Sequence, residues 1–120
     1  MVSYVSLKIS AYFIPRMKPV YHLQPSTKSD KKWQVTFLSP HTGREKTVHF
    51  GAVGYEDYTM HKTLARKEKY IQRHSGMGEH WRDPSTAGFW SRWLLWNKPT
   101  IRGSAKDIEQ RFSIKIIAKQ

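Results

Sequence analysis

Between Asp83 and Pro99 the chain reads Asp83-Pro84-Ser85-Thr86-Ala87-Gly88-Phe89-Trp90-Ser91-Arg92-Trp93-Leu94-Leu95-Trp96-Asn97-Lys98-Pro99, and no other stretch limits its folding so tightly. Three of the five tryptophans fall within these seven residues, Trp90 to Trp96. Asp83 or Ser85 can cap a helix, Pro84 suits a first turn, and Asn97 followed by Pro99 ends the element. The pattern predicts a helix from about Thr86 to Trp96 that is apolar almost all round. Phe89, Trp93 and Trp96 form one stripe, with Trp90 and Leu94 beside it, and only Ser91 and Arg92 make a polar edge. Such a helix cannot lie on a solvated surface; it must be buried in its own core or against a partner.

The chain has 120 residues, 38% of them hydrophobic and 13% aromatic, which is enough for one modest core but not two. It contains no cysteine, which excludes a disulfide framework and a thiolate metal site and fits a reducing compartment. The start, Met1 to Leu7, has neither a basic region nor a long apolar one, so no signal peptide is expected there. No apolar run approaches the ~20 residues that span a bilayer. The net charge is +12, spread as +5 over residues 1–33, +5 over 34–103 and +2 over 104–120. That balance favours polyanionic partners: nucleic acid, anionic lipid heads or an acidic protein surface.

The expected organisation is a small single α+β domain, with a β-hairpin packed on about three helices and an extended N-terminal arm. Residues 1–32 read as the arm. Val5, Leu7 and Ile9 share one side of a strand-like run, and three of the six prolines break the segment 15–32. The core domain spans 33–112, and 113–120 reads as a C-terminal strand or tail, able to pair with the N-terminal run. A chain starting at Lys31 is therefore expected to fold. Within the core, Trp33–Leu38 and Lys46–Phe50 alternate on either side of a turn containing Pro40 and Gly43, a hairpin signal. A helix is expected over about Met60–His74 with an apolar stripe of Met60, Leu64 and Ile71. A third is expected from Ser104, capped by that residue with Asp107 in capping-box position. The predicted core is Val35, Phe37, Val48, Phe50, Leu64, Ile71, Phe89, Trp93 and Phe112.

Four groups of residues are candidates for function. Lys62, Arg66, Lys69 and Arg73 recur at helical spacing and form a basic stripe able to follow phosphates, with Tyr70 beside it to stack or donate. A charge run of this kind also occurs as an ordinary solvated face. Glu56 and Asp57 are adjacent carboxylates, but in a polar loop such neighbours serve more often as caps than as acid and base. The six histidines show no helix-borne pair at metal-ligand spacing, so no metal and no cofactor is expected, and the chain does not read as an enzyme. Finally, Val5, Leu7 and Ile9 of the arm and Trp90 and Arg92 of the Trp-rich helix are candidate contacts for a partner protein.

The order Val48-His49-Phe50-Gly51, Gly54-Tyr55-Glu56-Asp57-Tyr58-Thr59 and Arg66-Lys67-Glu68-Lys69-Tyr70-Ile71, followed by the block Thr86 to Thr100, resembles a small basic protein family of nucleocytoplasmic large DNA viruses. The resemblance covers about residues 33–112. That family has no assigned activity, so no catalytic residue is carried over. What the resemblance implies is a late or virion-associated protein, located in the virion and in the host cytoplasm or nucleus during assembly. The expectation is a minor capsid or cementing component that contacts other virion proteins. The competing expectation is a nucleic-acid-binding protein that condenses or handles viral DNA.

Overall fold

The computed structural model describes residues 13–14, 18–76 and 80–119, and it is an α+β domain. In chain order the strands are β1 (Phe13–Ile14), β2 (Lys18–Pro25), β3 (Lys31–Leu38) and β4 (Glu45–Ala52). The helices α1 (Tyr58–His61), α2 (Leu64–Ser75), α3 (Ala87–Trp90, continued by a π-helical turn Ser91–Leu95) and α4 (Ile101–Phe112) follow, and β5 (Lys115–Ala118) closes the chain. Strands β2, β3 and β4 form an antiparallel meander, with β5 parallel to β2 on its other side. The short β1 pairs with Lys18 and Pro19 at the start of β2.

One face of the sheet is apolar because residues two apart share a side. Leu23, Val35 and Val48 lie in register across three strands, Trp33 lies opposite Phe50, and Tyr21 lies opposite Ile116. The other face carries polar side chains, including a Thr36–Thr47 hydroxyl pair 2.9 Å apart. Helix α3 packs on the apolar face through Phe89, Trp90, Leu94 and Leu95, and α4 adds Ile108. The all-round apolar sequence thus finds two apolar surfaces, the sheet on one side and α4 on the other. Phe89 and Trp93 both meet Phe112 edge-on, at 4.7 and 5.4 Å. The π turn is closed by the Trp96 amide donating to the Ser91 carbonyl at 3.1 Å, a wide turn that seats bulky rings at close intervals.

The hairpin, the Trp-rich helix and the C-terminal strand stand where the sequence puts them, but five expectations are corrected. The segment 18–32 is no arm. β2 lies between β3 and β5, with Val20, Tyr21 and Leu23 buried. Its prolines sit at strand ends, where a missing N–H costs the ladder least, so they delimit the strand rather than prevent it. The C-terminal strand pairs with this β2. Residues 1–12, with Val5, Leu7 and Ile9, lie outside the described residues.

The helix expected over Met60–His74 is two helices. Lys62 adopts a left-handed conformation (φ 55°), and the Thr63 amide bonds to His61 Nδ1 instead of continuing the helix. That reorients the second half, so Leu64 is 57% exposed, Ile71 is only half-buried, and α2 buries no residue fully. Thr100, not Ser104, caps α4, its hydroxyl accepting from the Gly103 amide. Ser104 is buried inside that helix and accepts from the Lys98 amide, while Asp107 holds Asn97 and Arg111. Likewise the cap of α3 is Thr86, which accepts from the Phe89 amide. Finally, Trp90 is not a partner contact: it is 0% exposed, the largest fully buried side chain of the core.

Candidate functional site

Where β4 leaves the sheet, the chain must turn under α3. Gly51 makes this possible: its φ is +79°, and a Cβ there would come within 2.9 Å of Leu95 Cδ1. The loop after it carries Tyr55, Glu56 and Asp57. Asp57 caps α1, accepting from the Thr59 amide at 2.9 Å. Its second oxygen takes the Lys32 ammonium from β3 at 2.7 Å, and this ammonium also donates to the Tyr55 carbonyl. The pair is largely shielded, with side-chain exposures of 17% for Lys32 and 4% for Asp57. Cap and ion pair together pin the loop and α1 to the sheet.

We expect Asp57→Ala to cost about 2–3 kcal/mol, because it removes the cap and strands a shielded ammonium. Asp57→Asn, which keeps a capping oxygen, should recover part of that loss. Urea unfolding of the three proteins measures both, and equal midpoints would remove this anchor from the account.

The loop, α2 and α3 then enclose a cleft of about 580 Å³. Trp96, at the end of the π turn, stacks on Tyr70 of α2 at 4.5 Å and 2°. Tyr70 stacks in turn on His74, one helical turn further on, at 4.2 Å and 26°. Two rings so close and nearly parallel cannot share one face of Tyr70, so the three form a ladder along the cleft wall. Lys31, Lys32 and Arg73 line the cleft with Glu56 and Asp57, so its cations outnumber its carboxylates. Glu56 is already paired: Arg66 Nη1 donates to it at 2.7 Å, which holds its carboxyl below the usual range. Burial depresses the basicity of His61, whose ring lies 5.4 Å from Trp96 behind the ladder.

The expected basic stripe is not continuous: Lys62 is the C-cap of α1 and lies outside α2, which carries only Arg66, Lys69 and Arg73. Lys62 donates to the Thr59 and Pro99 carbonyls, tying α1 to the segment before α4, and Arg66 serves Glu56. Lys69 and Arg73 are exposed, and Arg73 lines the cleft. Arg92, the other candidate from the Trp-rich helix, is engaged within the chain. Its guanidinium lies over Trp93 at 4.2 Å and Trp81 at 5.3 Å, and Nη1 donates to the Trp96 carbonyl at 2.9 Å, closing the end of the π turn. Among the described residues no three His, Asp or Glu side chains converge as metal ligands.

Sequence reasoning missed Lys32 and Trp96 as parts of this site. The only available signal was the spacing of Tyr70 and His74 at i, i+4; their third ring comes from 22 residues beyond His74.

The fold and the cleft together define a small α+β domain with a basic, aromatic-walled groove between its sheet and its helices. Residues 21–74, from β2 through most of α2, match the model of a family of unknown function, DUF5754. Comparison with curated proteins and with solved structures gives no match. No helix among the described residues is long and apolar enough to cross a membrane.

Proposed function

We infer that this is a non-enzymatic, basic protein of a large DNA virus that binds nucleic acid through α2 and the adjoining cleft. One observation carries the reading. Helix α2 buries no side chain fully, yet it is held against the domain with Lys69 and Arg73 exposed beside a cleft wall of stacked rings. A face that contributes little to the core but concentrates cations and aromatics has the composition that nucleic acid selects. The viral setting is supported by the resemblance of residues 33–112. The two loop carboxylates are committed to Lys32 and Arg66, which supports a binding role over acid–base chemistry.

A second reading, a minor capsid or cementing component, is favoured by a different observation. Val53, Tyr55, Met60 and Leu64 are large apolar side chains exposed on the loop, α1 and the start of α2, the kind of surface that contacts other proteins.

Titration with labelled duplex and single-stranded DNA separates the two. For the binding reading, log affinity should fall linearly with log salt, by about 0.7–0.9 per phosphate contact. Lys69→Glu with Arg73→Glu should weaken binding by roughly thirtyfold or more and flatten that slope. Affinity that is weak near physiological salt and indifferent to both substitutions would leave the capsid reading in its place.

A further inference from the structure

Among the described residues Tyr55 is the most exposed large hydrophobic side chain, at 73%. It stands at the junction of the 580 Å³ cleft and a second, more apolar groove that runs past Trp33, Val53 and Met60. Lys31 and Lys32 line both grooves with it. The backbone under this ring is fixed. The Tyr55 carbonyl accepts from Lys32, its amide donates to the Ala52 carbonyl, and the next two residues are anchored by the Glu56–Arg66 and Asp57–Lys32 pairs. An exposed ring on an anchored loop, flanked by cations, exposes apolar surface for which the fold itself supplies no use.

We propose, building on the nucleic-acid reading above, that the site takes unpaired nucleotides, with a base stacked on Tyr55 and the adjoining phosphates on Lys31 and Arg73. The chemistry favours this class over a duplex. Every base presents a flat π face, but only an unpaired one can lay it against a tyrosine ring. The charge fits as well. The cleft carries Lys31, Lys32 and Arg73 against two carboxylates that are already ion-paired, so the residual positive charge lies beside the ring. A duplex would meet the same cations and leave Tyr55 without a role. The shared ligand chemistry of single-stranded DNA and RNA is a base with an adjoining phosphate, and the sugar distinguishes them.

The test is fluorescence anisotropy with labelled oligonucleotides of roughly a dozen residues. Oligo-dT, oligo-rU and a duplex of equal length are titrated with the full chain and with Tyr55→Ala and Tyr55→Phe. Because Tyr55 is outside the core, the thermal midpoints of the three proteins should agree. Single strands are expected to bind more tightly than the duplex. Tyr55→Ala should weaken single-strand binding about tenfold, leave duplex binding unchanged, and be rescued by Tyr55→Phe, which keeps the ring. The ratio of dT to rU affinity then separates a DNA strand from an RNA strand as the preferred ligand. Duplex binding as tight as single-strand binding, or single-strand binding indifferent to Tyr55→Ala, overturns the proposal while the general polyanion reading stands. Absence of binding to all three overturns both.

Discussion

Trp90→Ala is expected to lower the stability of the domain by about 3–5 kcal/mol, a large share of the ~5–15 kcal/mol that such a domain possesses. The ring meets Phe89 at 5.1 Å, Tyr21 at 5.5 Å and Phe50 at 6.0 Å, so it joins α3 to β2 and β4 at once. Its Nε1 donates to the Pro84 carbonyl at 2.8 Å, so truncation also leaves a polar group without its donor. Both losses act where the core is fully closed and has least room to relax. Trp93→Ala should cost less, because that ring is only partly buried and two guanidiniums, Arg92 and Arg111, lie against it. Urea unfolding monitored by far-UV circular dichroism measures both. A midpoint for Trp90→Ala equal to that of the parent, or above that of Trp93→Ala, would contradict the packing described.

The second large effect concerns the chain's first third. A chain starting at Lys31 is expected not to fold, the reverse of what the proline-rich reading of that region implies. It would lack β2, and with it the Leu23–Val35 and Tyr21–Ile116 pairings that connect β3 to β5. β5, four residues long, has its described pairing only with β2, so it would lose its partner. The remaining hairpin would also expose the apolar face that Tyr21 and Leu23 now close, and a two-stranded hairpin is marginal by itself. A chain starting at Lys18 retains β2 and should keep a cooperative thermal transition. If the chain from Lys31 unfolds cooperatively with an unchanged midpoint, β2 is an appendage and the sheet is wrongly described.

Several features were legible in the sequence because their causes are local. The alternation in Trp33–Leu38 and Lys46–Phe50 and the turn residues between them produce β3 and β4 in the expected order. The density of rings from Phe89 to Trp96 requires a buried helix, and α3 is one. Arg66, Lys69 and Arg73 share α2 as their spacing implies, while Lys62 falls outside it.

What the sequence could not settle depended on partners far along the chain. Pro19 and Pro25 look like breaks until β3 and β5 are present to pair the residues between them. Trp90 and Trp93 are chemically alike, and only the position of the sheet decides that one is sealed and the other partly open. The bend at Lys62 is set by His61 Nδ1 and the Pro99 carbonyl, neither of which a helical periodicity can register. The cleft is the furthest from local reading: Tyr70 and His74 come from α2, Trp96 from the end of α3, and Lys31 and Tyr55 from the strand and loop opposite. Residue types and periods therefore determined which segments could bury a face. The burial of particular rings and the meeting of cations with a stacked wall were decided in the tertiary structure, because both depend on contacts between segments that sequence spacing does not encode.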